Sequence, residues 1–312
     1  MIGISDRVTG GRVTGKTAPD SVPVSISGRK KWRPWQYPMF GLIPLLAYMA
    51  IFFFLPAFGV LFNAFRSNSG HLSLSNIHAA AKGPYLHSLV ISVELSAVSA
   101  VIAAVIGLLV VVAIVSSPNR FLRRVSSSIS AVLANTGGIP LAFAFIATLG
   151  NFGIVTKLLG GMGFDPYAHG FSLYSISGLV VVYQYFLIPM MVLVMLPAVE
   201  GMRREWSESV ESLGGKRYHY WSFVGLPLLA PTLLSGLLVL FADAFAAYAT
   251  AAAIAGGVIP LVPIQIGNFV SGNVIANQTH LGDALGLEMV VLVIIVAVFY
   301  GFAQHRRSRW MH

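Results

Sequence analysis

The residues able to do chemistry in this sequence are few, and most stand alone. Gly10-Gly11-Arg12-Val13-Thr14-Gly15-Lys16-Thr17 matches the spacing of a phosphate-binding loop. Such a loop cradles phosphate only when a buried strand leads into it and a helix follows. Met1 to Thr9 is too short and polar for that strand, and Ala18-Pro19-Asp20-Ser21 continues as no amphipathic helix, so the stretch reads as part of a basic tail. His71, His78, His87, His169, His219, His280, His305 and His312 are dispersed without metal-ligand spacing. There is no His-Glu-x-x-His element, no Gly-x-Ser-x-Gly elbow, and no Ser/His or paired-Asp arrangement of the kind a protease needs. Cysteine is absent, which excludes disulfides, thiolate zinc sites and iron–sulfur clusters. The reading is a non-enzyme with no cofactor and no metal.

Three carboxylates remain, Glu94, Asp243 and Glu288, each inside or at the end of a long apolar run. A charge at the centre of a bilayer costs about 2.5 to 3.5 kcal/mol on insertion scales, so such groups face protein, a partner or water. They are candidates to line a path for a cationic solute. Near a helix end, however, a carboxylate can also reach the headgroups, and that reading stays open for Glu94 and Glu288, about five residues in. Gln184, and Asn135-Thr136, are mid-run polar groups that either face the path or bond between helices; the second is the usual fate of a buried amide in a membrane.

The elements that must position these residues follow from composition. Of 312 residues, 56% are hydrophobic and 10% charged, and the mean hydropathy is +0.78. A soluble domain carries about 25% charged residues, so this chain belongs in a lipid bilayer. Segments long enough to cross about 30 Å of hydrocarbon are predicted at Phe40 to Phe62, Leu89 to Val115, Ser128 to Leu149, Leu173 to Pro197, Leu228 to Ala252 and Ala284 to Gln304. Kinks are expected at Pro44, Pro56, Pro140 and Pro189. Residues 1–36, rich in Gly, Ser, Thr and basic residues, form a disordered basic cytoplasmic tail with no cleaved signal peptide, and 37–312 form the membrane domain.

Short loops rich in Lys and Arg stay in the cytoplasm. Placing the tail inside puts 17 of the 20 Lys and Arg on inner segments, leaving Arg66, Lys82 and Lys157 outside. Both termini are then cytoplasmic, the three acids lie in the outer half, and the net charge of +9 reflects topology rather than nucleic-acid binding. Two outer connections, Gly150 to Phe171 and Gly256 to Asp283, are long and nearly uncharged; they read either as short interfacial or re-entrant helices or as surface loops.

The inner loop 198–227 is different. Glu200, Glu205, Glu208 and Glu211 stand beside Arg203, Arg204, Lys216 and Arg217, while Met202, Trp206, Val210 and Leu213 recur at helical spacing. This predicts an amphipathic helix from Glu200 to Leu213, ended by Gly214-Gly215, with Pro227 in the first turn of the next span. A basic helix lying on headgroups would be the plain reading, but here acids and bases are equal in number.

Glu208-Ser209-Val210, three residues, Gly214, nine residues, Val224, one residue, Leu226-Pro227 resembles the loop motif of the permease subunits of binding-protein-dependent ABC importers, Glu-Ala-Ala, three residues, Gly, nine residues, Ile, one residue, Leu-Pro. Ser209 and Val210 depart from the two alanines. The resemblance runs from about the first span to the C-terminus and includes the Gly-rich turn Gly137-Gly138-Ile139-Pro140 in span three. The segment Phe241-Ala242-Asp243-Ala244-Phe245, with Tyr248-Ala249-Thr250, Gly256-Gly257 and the outer helix-like Ile264 to Val274, is similar to the polyamine, iron and phosphonate branch; the sugar-transporting branch is its competitor.

The resemblance implies an all-α integral membrane protein of the six-helix, MetI-like permease type. Its loop would be a coupling helix seated on a separate ATP-binding subunit dimer. A second permease, identical or homologous, would complete the path through the bilayer, and an extracytoplasmic solute-binding protein would deliver a polyamine or other small polar solute. A stand-alone secondary transporter is the rival; it would need internal repeats or discontinuous helices, and no internal symmetry is evident.

Overall fold

The computed structural model describes residues 37–66, 71–272 and 279–308. The tail, with its phosphate-loop pattern, lies outside the described residues. Contacts divide the chain into two units, 1–53 and 54–312. In the first, α1 (Tyr37–Met49) carries Pro44 within it and runs into a π-helical stretch, Ala50–Phe54. The second holds α2 (Leu55–Ala64), α3 (Ser75–Ala80), α4 (Gly83–Ser116), α5 (Arg120–Ala134), α6 (Ile139–Leu149) and α7 (Ile154–Gly161). It continues with α8 (Ile176–Glu200), α9 (Arg204–Ser212), α10 (Arg217–Tyr220), α11 (Leu226–Ala246), α12 (Ala249–Ala255), α13 (Val262–Val270) and α14 (Thr279–Ser308). Six helical stretches of the described residues are long and apolar enough to cross a membrane: Leu42–Ala64, Gly83–Ser116, Ile139–Gly161, Ile176–Glu200, Tyr218–Ala246 and His280–Phe299. The long connections after α6 and α12 hold the short helices α7 and α13.

The core is the seam between α4 and α8. One face of α4 is small: Ser88, Ser92, Ser96, Ser99, Ala100, Ala103, Ala104 and Gly107 are buried at spacings of three and four. Against it α8 sets Tyr183, Leu187, Met191 and Met195, all buried. Helices in lipid gain nothing from leaving water, so packing area decides which surfaces meet, and small residues let backbones approach. At Gly107 the fit is tight enough that an added Cβ would stand 2.6 Å from the Cβ of Met191.

Spans three and five differ from expectation. The segment Ser128 to Leu149 is not one helix: α5 ends at Ala134, and α6 starts at Ile139. Gly138 takes φ 82° and ψ −154°, open only to glycine, and Pro140 then sits in the first turn of α6. Asn135 and Thr136 do not bridge helices. Asn135 Nδ2 donates to the Ala131 carbonyl (2.9 Å) and Thr136 Oγ1 to that of Val132 (2.7 Å), both within the last turn of α5. Span five, expected as Leu228 to Ala252, breaks at Ala247 and Tyr248 between α11 and α12. Its start also differs, because the helical path enters from α10 through a π-helical stretch, Trp221–Gly225, in which the Leu226 N–H reaches back five residues to Trp221. That widened turn precedes Pro227, as Ala50–Phe54 precedes Pro56, and accommodates a ring that lacks an N–H.

Candidate functional site

The loop between α8 and α11 is built in two pieces. The predicted helix from Glu200 to Leu213 is interrupted at Gly201–Arg203, because Glu200 closes α8 instead. Glu200 forms an ion pair with Arg123 of α5, 3.3 Å between Oε1 and Nε, and Arg123 Nη2 donates to the Val115 carbonyl near the end of α4. The ends of α4, α5 and α8 are thereby tied beside the loop.

The helix proper, α9, ends in a Schellman motif. Gly215 N donates to the Val210 carbonyl and Gly214 N to that of Glu211, both at 2.9 Å, with Gly214 in the left-handed region at φ 75°. Both bonds need the chain to reverse at a residue without a Cβ, which gives the motif's glycine its physical reason. Gly215 is needed for a second reason: a Cβ there would meet Val210 Cγ1 at 2.6 Å.

The two faces of α9 do different things. Trp206, Ser209, Val210 and Leu213, one helical face, line an apolar groove of about 410 Å³ completed by Phe223, Val224, Pro227 and Leu228. Ser207 and Glu211, on the other, border a more polar cavity of about 710 Å³ with Arg123, Arg203 and the ends of α4 and α8. Of the motif positions, Ser209, Val210, Val224 and Pro227 therefore converge on one groove; Gly214 shapes the turn, and Glu208 and Leu226 are exposed beside it.

The intramembrane candidates are less unified. Glu94 and Asp243 are exposed on α4 and α11, whose neighbouring residues Leu95, Ser96, Ala244 and Phe245 meet around one narrow cleft. α4 starts at Gly83, before the expected start at Leu89, and Glu94 lies about 16 Å along it, at 1.5 Å per residue. Glu288 is half-buried on α14, and its Oε2 has no hydrogen-bond partner. Among the described residues no group of acids or histidines converges closely enough to hold a metal ion. Gln184 bonds between helices: its Nε2 donates to the Ser99 carbonyl of α4 (3.3 Å) and to the Val180 carbonyl (3.0 Å), while its Oε1 is buried without a donor.

Comparison with known proteins shows what the chain is similar to. No family model matches the chain. Over 220 residues it is 24% identical to the molybdenum transport system permease protein ModB of Mycobacterium tuberculosis and equally to that of Mycobacterium bovis, covering 69% of this chain and 77% of each relative. The crystal structure of a bacterial ABC transporter involved in the import of the acidic polysaccharide alginate matches with a TM-score of 0.68 at 15% identity, over 86% of this chain and 95% of that one. A bacterial alginate ABC transporter bound to a periplasmic protein carrying an alginate pentasaccharide gives 0.68 at 16%, over 86% and 94%. The chain has the fold of these ABC-importer structures and is similar in sequence to the two molybdenum permeases.

Sequence reasoning missed how this chain closes its interrupted helices. Gly138, heading α6, has no side chain to cap it; its N–H donates to Thr250 Oγ1 of α12 (2.9 Å). Tyr183 OH of α8 donates to the Ala247 carbonyl at the end of α11 (3.2 Å), and the Val262 N–H at the start of α13 donates to Ser92 Oγ of α4 (2.9 Å). At the far end of α6, Tyr167 OH donates to the Leu149 carbonyl (2.8 Å), and burial raises that phenol above its ordinary pKa, keeping it a donor. Hydrocarbon supplies no water to helix ends, so the protein must. Gly137-Gly138 followed by Pro140 was the available signal for the first interruption; nothing near Thr250, Tyr183 or Ser92 in sequence marks them as caps.

Proposed function

We propose that this permease carries a small solute through the cytoplasmic membrane by alternating access, driven by a separate ATP-hydrolysing subunit dimer that grips the loop from Glu208 to Pro227. The observation that carries this reading is the convergence of Ser209, Val210, Val224 and Pro227, positions set apart in the sequence pattern, on one groove beside a helix ended by Gly214. An ATPase can drive the bundle only by preferring one of its conformations, and a short rigid helix with an exposed apolar face transmits such a preference. With Lys and Arg as guide, the loop and both termini are cytoplasmic. The remaining partners are a second permease, identical or homologous, and an extracytoplasmic binding protein.

The solute is proposed to be cationic or small and polar, a polyamine being the leading case, because Glu94 and Asp243 are exposed on spans where lipid does not tolerate a charge. A path between two permeases would cover both. The relatives' names, molybdenum and an acidic polysaccharide, favour a different solute, and the same experiment separates the two. The permease is reconstituted with its ATPase and binding protein, and ATP hydrolysis is measured with spermidine or with molybdate as the added solute. Stimulation by spermidine, weakened by Asp243→Asn, supports the cationic reading; stimulation by molybdate alone removes it. Absence of any ATPase in the purified assembly would remove the importer mechanism altogether.

A further inference from the structure

The interruptions of spans three and five face one another. Thr250, buried, is the second residue of α12, and its hydroxyl serves Gly138 twice: it accepts from the Gly138 N–H (2.9 Å) and lies 3.3 Å from the Gly138 carbonyl, to which it can donate. Gly138 also accepts the first helical bond of α6, from Ala142 N (3.2 Å). One side chain, 112 residues away, therefore completes the start of α6. On the other side of the joint, Tyr183 of the core helix α8 holds the Ala247 carbonyl, between α11 and α12.

Bending a continuous helix breaks backbone bonds that lipid cannot replace, whereas bending at an existing interruption breaks none. Any change of access that bends these spans will therefore do so at Asn135–Gly138 and Ala247–Tyr248. We propose that Thr250 is the positioning residue that locks α6 to α12, so that the outer parts of spans three and five swing as one body against α4 and α8. This rests on the alternating-access reading and specifies which parts move.

The chain has no cysteine, so labels can be placed singly without background. Phe143, Val258 and Val98 are exposed on α6, just after α12, and on α4. Spin-label pairs Phe143→Cys with Val258→Cys, and Phe143→Cys with Val98→Cys, are measured in the assembled complex before and after trapping with ATP and vanadate. The α6-to-α4 distance is expected to shift while the α6-to-α12 distance holds. Thr250→Val is expected to broaden the α6-to-α12 distribution on trapping, and Thr250→Ser, which keeps the hydroxyl, to restore it. A bond with a purely structural role would lower the melting temperature of Thr250→Val and leave that distribution narrow. Equal shifts in both pairs, or none in either while ATP is hydrolysed, overturn the proposal with Thr250 intact, whether or not the valine variant folds. An assembly that binds no ATPase fails at the importer reading instead.

Discussion

The loop helix α9 and the interrupted spans three and five face the same problem, the unpaired groups at a helix end, and solve it by opposite means. In the loop, Gly214 and Gly215 close α9 with bonds to residues three and five positions back. At the breaks of spans three and five the partners are 112 and 64 residues away, through Thr250 and Tyr183, and at the start of α13 the partner is 170 residues away, through Ser92. Near water a helix end can be self-sufficient, because solvent takes what the cap leaves. In hydrocarbon each unpaired group costs several kcal/mol, so the tertiary fold must deliver a partner. A handle made of local bonds keeps its shape whatever the bundle does; a joint made of distant bonds changes when the bundle does.

The largest expected effect tests the handle. Gly214→Val forces a β-branched residue to φ 75°, a strain of about 1 to 3 kcal/mol, and should unwind the last turn of α9. The ATPase is expected to be lost from the purified complex and ATP-driven uptake abolished, while the bundle melts as before, since no described side chain of α9 is buried. Gly214→Asn, which accepts the left-handed conformation more readily, should retain much of the binding. Co-purification unchanged in the valine variant would remove the loop from the docking role. Next comes Glu208→Lys: an exposed charge at a partner's rim acts mainly on association, so binding should weaken about tenfold and become more salt-dependent. An unchanged salt dependence would place Glu208 outside the interface.

This contrast also explains what could be read from the sequence. The six apolar segments announce themselves by length, and the end of α9 by Gly214-Gly215, because both signals are contained in a single short window. The break at Gly138 falls within an apolar run that hydropathy reads as one span, although Gly-Gly before Pro140 marks it locally. The break at Ala247 has no such mark. Its donor, Tyr183, looks like any tyrosine in an apolar helix until α8 and α11 are packed together. Glu200 was grouped with the loop acids because charge patterns carry no distance; in the fold it belongs to α8 and to Arg123.

A smaller effect tests the joint. Tyr183→Phe keeps the ring that fills the α4–α8 seam and removes only the donor to the Ala247 carbonyl, so it should lower stability by about 1 kcal/mol, within the range of interhelical bonds in membranes. Gln184→Leu, one residue on, removes a long 3.3 Å interhelical bond and a 3.0 Å bond within α8 to a carbonyl that the helix already serves, together with a buried oxygen that has no donor, and these nearly offset. Thermal unfolding of the two variants should therefore differ although the residues are neighbours. If Gln184→Leu instead abolished uptake with its melting temperature unchanged, Gln184 would face the solute path rather than serve the seam.

The smallest effect belongs to the loop end again. Arg123 and Glu200 are each 36% exposed, and Arg123 Nε lacks hydrogen-bond alignment with the carboxylate, so the pair itself contributes less than about 1 kcal/mol. The same guanidinium donates through Nη2 to the Val115 carbonyl, in the last turns of α4, where a cation also favours the helix dipole. These two contributions respond differently to salt: the exposed pair is screened, and the bond to a carbonyl is not. Arg123→Gln is expected to lower the melting temperature slightly at low salt and by less at high salt, while Glu200→Gln, which keeps the Val115 bond, should lose nearly all of its effect at high salt. If Glu200→Gln instead proved as damaging as Tyr183→Phe and insensitive to salt, the loop end would be as dry as the interrupted spans, and the distinction between a water-facing handle and a lipid-buried joint would fail at its inner edge.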